Sequence, residues 1–542
     1  MIQYSSNLKN NHDYFLIMII IRGKRGNCME KGIGKVKIDP IVFWSSLVVI
    51  VLATLLLVIY QDSAEPVLNN LMTDITYNLD WAFQFLTFGL FIMLLWLVFS
   101  KYGKVQLGEG KPEFSTFSWG AMLFCAGMGT SIMFWSMMEP MYYYMGPPFG
   151  IEPNSNAAAE WSVAYGMFHW GISAWCLYAV PTVTIAYSFF VKKNHSLKIS
   201  TACRGILGKY ADGIVGQIID ILVIWSLVGG LGTSLGLGVP MISQVIGELF
   251  GVQQSMTLSV VIIVIWTIIY CASAYMGLYK GIRKLSDWNV YMALALALFV
   301  LIAGPTLFIL SNFSNSFGIM LQNFVMMSFS TDPISQGGFP QAWTVFYWAW
   351  FAATAPFMGL FVARISKGRT IRELIMHILL WGSAGSWIYF AIFGGYTLNL
   401  QITDTLNVVD VLNNEGGPAA IVAVLSTLPF SKIVMAFFIV LGFIFLATSL
   451  DSATYILSAI ATKKLVGNQE PARWHRMLWG AILAGLAISL LLIGGLNVIQ
   501  TSAVIVSVPV IIIYILLAAS LINWLKKDYP DVIIKPLKEG DK

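Results

Sequence analysis

The sequence predicts an all-α polytopic membrane protein with twelve transmembrane helices, and three observations lead to this prediction. Hydrophobic residues make up 57% of the 542 residues, charged residues only 11%, and the mean hydropathy is +0.75. So few charges could not cover the surface of a soluble protein. Apolar runs of about 20 residues, long enough to cross a hydrocarbon core, recur along the chain. Lys and Arg cluster in alternate connecting segments, as they do in multi-pass membrane proteins.

The apolar runs give the position of each span. We place the spans near residues 40–60, 80–100, 118–144, 161–191, 213–243, 256–276, 288–311, 340–363, 374–396, 432–463, 473–495 and 499–524. The connections without Lys or Arg are residues 61–79, 145–160, 244–255, 312–339 and 397–431. Because cytoplasmic loops carry the excess of basic residues, we expect both termini on the cytoplasmic side of the cell (inner) membrane.

The ends of the chain and one connection have their own interpretations. Residues 1–37 are a predicted cytoplasmic segment, residues 38–525 the membrane domain, and residues 526–542 a short cytoplasmic tail. The stretch MEKGIGKVKIDP, from Met29, reads as a natural start, so we expect residues 1–28 to be an upstream extension. Residues 313–330 carry an apolar stripe but are too polar to span, which favours an interfacial helix on the outer surface.

Two spans contain features that weaken a plain membrane helix. The third carries Gly127 and Gly129 in GMGTSIMFWSMMEP, and the eighth carries Pro356 in a run of small residues. Interrupted backbone is tolerated in a bilayer only where protein or a cavity surrounds it. Each of these spans opens a block of five, spans 3–7 and spans 8–12, and blocks of odd length have opposite topology. Position therefore predicts inverted five-helix repeats, with spans 1 and 2 outside both blocks.

Aromatic residues predict either a packed core or a cation site. Within FHWGISAWCLY, helical angles of 100° per residue place Trp170, Trp175 and Tyr178 on one side of the fourth span. The eighth span adds Trp343, Trp348, Trp350 and Phe351. Rings packed between helices are the structural interpretation. The functional one is an aromatic cage, in which each well-placed ring attracts a desolvated cation by roughly 0.5–2 kcal/mol.

Three further features have both a structural and a functional interpretation. The glycines of residues 229–240 in the fifth span suit close helix packing as well as a functional break. Glu139, followed by Pro140, is an intramembrane acid and hence a functional candidate. Its place near the outer end equally favours a structural role, such as binding freed backbone amides. Thr448 and Ser449 could bind a monovalent cation, although such hydroxyls commonly bond to their own helix.

Several function classes are disfavoured by the sequence. It contains no nucleotide-binding loop, no metal-binding cluster and no nucleophile constellation, so an enzyme is not predicted. The five cysteines have no paired spacing, which argues against a disulfide framework or a zinc site. The net charge of +5 is explained by the placement of basic residues along the membrane, so no nucleic acid partner is expected.

Five motifs occur in one order along the chain: GMGTSIMFWSMMEP, FHWGISAWCLY, GTSLGLG, GGFPQAWTVFYWAW and ARISKGRTIREL. In these motifs the chain resembles the betaine/carnitine/choline transporter family over about residues 38–525. The resemblance implies the fold of the sodium-coupled leucine transporters, with two additional helices in front. It also implies assembly into a homotrimer in the lipid bilayer.

The resemblance assigns roles to individual residues. Those implied for the quaternary ammonium substrate are Trp170, Trp175, Tyr178, Trp350 and Phe351 in the cage, Tyr142 nearby, Gly127, Met128 and Gly129 at the carboxylate end, and Thr354 where a further aromatic is usual. Those implied for a sodium ion, as the coupling ion, are Cys125, Met128, Phe445, Thr448 and Ser449. No other cofactor is implied.

Departures from the family pattern narrow the expected function. Leu227 and Leu231 replace the two threonines of a second sodium site. Asn289 stands where an arginine replaces sodium in the exchangers, and Ser131 where choline carriers tend to have aspartate. The tail lacks the long basic helix of osmosensing members.

We therefore expect sodium-coupled uptake of zwitterionic quaternary ammonium compounds, such as glycine betaine or carnitine. A sodium-independent exchanger of betaine or carnitine against a related compound remains the alternative. A sensor that binds the ligand without transport is less favoured, since no signalling domain is recognised in the sequence.

Overall fold

The fold is helical wherever the structure describes it. A computed structural model describes residues 36–126, 129–194, 196, 198–276, 282–465, 470–493 and 496–530. Gly127, Met128 and the proposed upstream extension therefore lie outside the described residues. Within these ranges β-type pairing is limited to two isolated bridges, Ile38 with Thr462 and Gln106 with Thr370. The predicted all-α class is thus confirmed for the described part of the chain.

Eighteen helices of eight or more residues are described. They are α1 (Pro40–Ile59), α2 (Gln61–Phe99), α3 (Thr116–Ala126), α4 (Thr130–Met145), α5 (Asn156–His169), α6 (Ile172–Ala186), α7 (Ile214–Phe250), α8 (Met256–Met276), α9 (Ile282–Ala303), α10 (Thr306–Phe329), α11 (Val345–Ile365), α12 (Ile371–Tyr389), α13 (Gly395–Ile402), α14 (Val408–Glu415), α15 (Gly417–Ser426), α16 (Ser431–Ile460), α17 (Arg473–Ile493) and α18 (Leu496–Asp528). Single π-helical turns, Tyr187–Val191, Pro340–Thr344 and Phe390–Gly394, continue α6, precede α11 and continue α12.

Nine helical segments among the described residues are long and apolar enough to cross a membrane. The number is ten if α9 and α10 form one bent span, since their axes differ by 111° across Gly304 and Pro305. The sequence placed that span at 288–311, but α9 ends at Ala303. Proline lacks a backbone N–H and disfavours the helical conformation of the residue before it, so the helix ends there. The predicted interfacial segment 313–330 forms the greater part of α10, which ends at Phe329.

The second span is longer than the sequence indicated. From the sequence, residues 61–79 are expected to be a connection between the first two spans. In the structure they form the first half of α2, which runs from Gln61 to Phe99. Pro66 lies in the second turn of this helix. Polarity marks where a helix leaves the hydrocarbon core, but it does not end the helix there.

The helices differ sharply in burial, and this places the centre of the molecule. Over the most apolar 18 residues of each segment, 83% are buried in Asn156–Val191 and in Pro340–Ile365, compared with 22% in α1. Close packing of α6 against α11 requires Gly359, where a Cβ would lie 3.1 Å from the Cβ of Pro181. The segments around α5, α6 and α11 are therefore central, and α1 is peripheral.

A polar cluster joins the start of α1 to α7 at one end of the bundle. Lys198 bridges Asp39, at 2.7 Å, and the buried Asp220, at 3.4 Å. Asp220 also accepts hydrogen bonds from the backbone N–H and the hydroxyl of Ser200. The buried acid of α7 is thus paired and fully hydrogen-bonded, as a buried charge must be.

The turn of backbone that precedes α7 leaves room only for glycine at residue 216. A Cβ on Gly216 would lie 1.9 Å from the carbonyl oxygen of Ala211 and 3.2 Å from the Cβ of Ser200. We expect Gly216→Ala to destabilise the protein by about 1–3 kcal/mol, the usual range for overpacking. Thermal unfolding of the purified protein in detergent measures this. Gly485→Ala is the matched control, because no atom lies within 4 Å of its Cβ position. An equal midpoint for both variants would contradict the packing.

Candidate functional site: an aromatic cluster beside interrupted helices

The fourth span is interrupted at its centre. Helix α5 ends at His169, Trp170 has φ −98° and ψ 6°, and Gly171 has φ −92° and ψ −147° before α6 begins. A Cβ on Gly171 would lie 2.5 Å from the carbonyl oxygen of Met167, so only glycine fits. That carbonyl accepts a hydrogen bond of 2.9 Å from the indole of Trp387. The expectation of one continuous helix through Trp170 is therefore wrong.

The five aromatic residues predicted for the cage are buried and form one chain of ring contacts, here called the five-ring cluster. Trp170 meets Trp350 and Phe351 edge-on, with ring centroids 5.8 and 5.5 Å apart. Phe351 meets Tyr178 at 5.4 Å, and Tyr178 meets Trp175 at 5.5 Å.

The polar atoms of three of these rings are hydrogen-bonded to groups outside the cluster. The indole of Trp350 donates to the carbonyl of Gly230 at 3.0 Å, and that of Trp170 donates to Glu139 at 2.9 Å. The hydroxyl of Tyr178 lies 3.0 Å from that of Thr354. With their polar edges held in this way, the rings contribute apolar, electron-rich faces to the site.

Glycines on two neighbouring helices make room for the cluster. A Cβ on Gly382 of α12 would lie 2.1 Å from the ring of Trp175, and one on Gly230 of α7 would lie 2.7 Å from the methyl group of Thr354. Elsewhere in the fifth span, Gly229 packs on Val506. The close-packing interpretation of this glycine-rich stretch therefore agrees with the structure, which has α7 as a continuous helix.

Tyr142 belongs to a neighbouring aromatic group. Its ring lies 5.3 Å from that of Trp343 and 6.3 Å from that of Trp135. Tyr347 connects the two groups, because its ring lies 5.9 Å from Trp135 and 6.1 Å from Phe351. Tyr142 is thus near the five-ring cluster but separated from it by two rings, Trp135 and Tyr347.

Trp348 serves helix packing. Its indole donates a hydrogen bond of 3.2 Å to Gln84 of α2.

In the third span α3 is described to Ala126 and α4 begins at Thr130, and residues 127–128 lie outside the described part. Gly129 precedes the first residue of α4, with φ −137° and ψ −170°. A Cβ on Gly129 would lie 3.8 Å from the hydroxyl of Ser449, so this glycine faces α16. Cys125 lies in the last turn of α3, and its side chain is not described. The hydroxyl of Thr130 is buried without a hydrogen-bond partner in the described structure.

The hydroxyl of Thr448 bonds to its own helix. Its oxygen lies 2.9 Å from the carbonyl of Ile444 and 3.0 Å from that of Phe445. A hydroxyl that donates in this way still has lone pairs that can bind a cation. Among the described residues, no group of three His, Cys, Asp or Glu side chains could hold a metal ion. Any cation site here would consist of hydroxyl and carbonyl oxygens.

Glu139 has partners that the sequence did not indicate. The suggested role of binding freed backbone amides is wrong for the described contacts, since its carboxylate accepts from the side chains of Tyr143, Trp170 and Tyr347. Its side chain is completely buried. The sequence did show that Glu139 is an acid within a membrane span and that aromatic motifs follow it along the chain. Sequence alone could not reveal that Trp170, 31 residues away, is its partner.

The positions that depart from the family pattern are all buried. Leu227 and Leu231 are part of the apolar core, and Asn289 is 2% exposed. Ser131 donates a hydrogen bond of 3.4 Å to the hydroxyl of Ser234. None of these described positions brings a charge to the five-ring cluster.

Comparisons with known proteins agree on one family. The model of the betaine/carnitine/choline family transporters matches residues 41–530. A carnitine transporter of Acinetobacter baumannii is 35% identical over 499 residues, covering 92% of this chain and 91% of the relative. The uncharacterized transporter YeaV of Escherichia coli is 36% identical over 441 residues, covering 81% and 92%. A solved structure of a Na⁺-coupled sialic acid symporter covers 84% of this chain and 82% of its own, with 14% identity and a TM-score of 0.42.

The pairing of Tyr178 with Thr354 can be tested by a double-mutant cycle. Thr354→Val leaves the buried Tyr178 hydroxyl without its partner, which should cost about 1–3 kcal/mol. In a Tyr178→Phe background the same change should cost much less, because no hydroxyl remains to be satisfied. Thermal unfolding of the four proteins gives the coupling. Equal costs in both backgrounds would show that the two hydroxyls do not interact.

Proposed function

The chain belongs to the betaine/carnitine/choline transporter family, and we propose that it carries zwitterionic quaternary ammonium compounds of the glycine betaine or carnitine type. Family and relatives are transporters, so the chain is a transporter and not an enzyme. The observation that carries the substrate proposal is the five-ring cluster. Its rings are buried within the transport domain, and the polar edges of three of them are held by other groups.

A trimethylammonium group cannot donate a hydrogen bond, so it is recognised by ring faces. In our proposal Trp170, Trp175, Tyr178, Trp350 and Phe351 surround this group. The relative named as a carnitine transporter supports a substrate with such a head group.

The other end of the substrate is a carboxylate. We assign it to the backbone of Gly127, Met128 and Gly129. Helix α4 begins at Thr130, and the first N–H groups of a helix lack partners within it, which makes a helix start a suitable place for an anion.

The membrane arrangement we propose is the one that the resemblance implies. Twelve spans would form two inverted repeats of five behind two peripheral helices, with both termini cytoplasmic, in homotrimers of the inner membrane. The α3–α4 segment would open the first repeat, and α11, which follows a π-helical turn and contains Pro356, the second. Movement of one repeat against the other would then expose the site to each side in turn.

Sodium coupling is the finer part of the proposal. A sodium ion would lie between α3–α4 and α16, held by backbone carbonyls of Cys125, Met128 and Phe445 and the hydroxyls of Thr448 and Ser449. The support is that Gly129 faces the hydroxyl of Ser449. One ion per cycle is expected, because Leu227 and Leu231 offer no side-chain oxygen to a second.

Uptake into proteoliposomes tests the substrate and the coupling together. We expect labelled glycine betaine or carnitine to accumulate when an inward sodium gradient is imposed, and choline to compete poorly because no acid at Ser131 balances its charge. Accumulation should be lost when potassium replaces sodium on both sides. Uptake that is independent of sodium but requires internal substrate would instead identify an exchanger. Transport of choline in preference to both zwitterions would refute the substrate proposal.

Variants of the sodium site separate coupling from substrate binding. Thr448→Ala and Ser449→Ala should raise the sodium concentration needed for half-maximal substrate affinity. Ser452→Ala is a matched control, because its hydroxyl also bonds to the backbone of α16, at Thr448, and it has no proposed role. Equal sodium dependence in all three variants would exclude this position for the ion.

The five-ring cluster should dominate substrate affinity. Trp170→Ala and Trp175→Ala should each weaken betaine binding about tenfold or more, whereas Phe replacements keep part of the affinity because a ring face remains. Isothermal titration of the purified protein measures this. Trp348→Ala removes an equally buried indole that bonds to Gln84 and lies outside the cluster. If this control weakened binding as much as Trp170→Ala, the cage would be misplaced.

A further inference from the structure

We propose that Glu139 is a positioning residue that fixes the Trp170 ring and, through its negative charge, makes the site prefer a cationic head group over a neutral one. The inference rests on the proposed function, since it concerns the same five-ring cluster. Glu139 does not belong to that cluster. It lies on α4, behind the edge of Trp170 that carries the indole N–H.

The geometry indicates that Glu139 accepts hydrogen bonds from three side chains. Its Oε2 lies 2.9 Å from Nε1 of Trp170 and 2.5 Å from the hydroxyl of Tyr347, and its Oε1 lies 2.6 Å from the hydroxyl of Tyr143. An indole N–H can only donate. Hydroxyl–oxygen distances of about 2.5–2.7 Å are typical of a hydroxyl that donates to a carboxylate. These contacts therefore favour the ionised form of Glu139.

The hydrogen-bond pattern around His169 is consistent with a neutral imidazole. Its Nδ1 lies 2.7 Å from the hydroxyl of Tyr143 and 3.4 Å from Oε1 of Glu139, and its Nε2 lies 3.0 Å from the hydroxyl of Thr344. If Tyr143 donates to Glu139, Nδ1 carries the proton that bonds to Tyr143, and Nε2 accepts from Thr344. With a neutral His169 3.4 Å away, the carboxylate of Glu139 is held by two tyrosine hydroxyls and an indole.

A buried carboxylate is costly unless it is hydrogen-bonded, and an acid within a membrane span is a functional candidate by default. It acts here through Trp170, whose ring contacts both Trp350 and Phe351. By accepting the hydrogen bond of the indole N–H, Glu139 fixes the orientation of the Trp170 ring against Trp350 and Phe351. It also increases the electron density of the ring, and the negative charge itself lies one ring away from a bound cation. The last two effects strengthen binding of a cation and leave a neutral group of the same shape unaffected.

Tyr347 gives the arrangement its rigidity. It donates to the same oxygen of Glu139 as Trp170 does, and its own ring stacks on His169 at 4.8 Å. Helices α4 and α11 and the interruption between α5 and α6 are thereby joined at one carboxylate. Trp170 is the cluster ring that bonds directly to this carboxylate, whereas Phe351 is reached through Tyr347.

The test compares two ligands that differ in charge but not in shape. Glycine betaine and 3,3-dimethylbutanoate have the same skeleton, with a trimethylammonium group in one and a tert-butyl group in the other. Their dissociation constants are measured by titration on the purified full-length protein. The wild type must bind betaine more tightly than the isostere. If it does not, the proposed function fails, whatever Glu139 does.

Glu139→Gln keeps the size of the side chain and removes the charge. We expect betaine affinity to fall about tenfold, the scale of one desolvated cation–π contact, with less than a twofold change for 3,3-dimethylbutanoate. Glu139→Asp should retain most of the preference for betaine. Tyr143→Phe is the matched control, because it removes one hydrogen bond to the carboxylate and leaves both the charge and the Trp170 contact in place. An equal loss for both ligands in Glu139→Gln, or an unchanged ratio, would overturn the inference.

A second variant keeps the proposal testable if Glu139→Gln does not fold. Replacing Trp170 by 3-benzothienylalanine keeps the bicyclic ring and substitutes sulfur for the N–H. The ring then loses its bond to Glu139, so the preference for betaine should fall several-fold while the isostere binds nearly as before. A preference equal to that of the wild type would show that the carboxylate does not act through Trp170.

Discussion

The structure depends on one constraint: backbone groups that an interrupted membrane helix sets free must find partners inside the protein. At the centre of the fourth span the freed carbonyl of Met167 is bonded to the indole of Trp387. The interruption is therefore possible only where α12 packs against it. The same helix supplies Gly382, which makes room for Trp175. Helix α12 thus both supplies a partner for the freed carbonyl and leaves room for a ring of the aromatic site.

This constraint explains why the central helices carry so many residues with one polar edge. Trp and Tyr can bond a freed or buried polar group at one end and present a ring at the other. Trp350 does so toward the carbonyl of Gly230, and Tyr178 toward Thr354. Phenylalanine in the same places would keep a ring but would leave those groups without partners. The recognition surface is in this sense a consequence of the hydrogen bonding that surrounds it.

Much of this could be predicted from the sequence, and the failures have physical reasons. The all-α class follows from hydropathy, and the meeting of rings from the fourth and eighth spans is what the resemblance to the transporter family implies. The interruption at Trp170 could not be predicted from periodicity, because Gly171 alone is compatible with a continuous helix. Helix α9 ends because of Gly304 and Pro305, and a mean hydropathy taken over about 20 residues does not detect a break caused by two residues. The partners of Glu139 are distant in sequence, and only tertiary packing brings them to it.

The two ends of the proposed site differ in electrostatics, and this difference bears on which molecules it suits. Glu139 lies behind the aromatic end, whereas the start of α4, the positive end of the helix dipole, lies at the end that we assign to the substrate carboxylate. Gly129, just before α4, and Glu139, on α4, both belong to the third span. One span therefore supplies the groups of opposite polarity at the two ends of the proposed site. A zwitterion aligned along it meets a favourable field at each end, while a simple cation or anion meets one at a single end only. Selectivity for a zwitterion can therefore arise from the direction of one short helix and one buried acid.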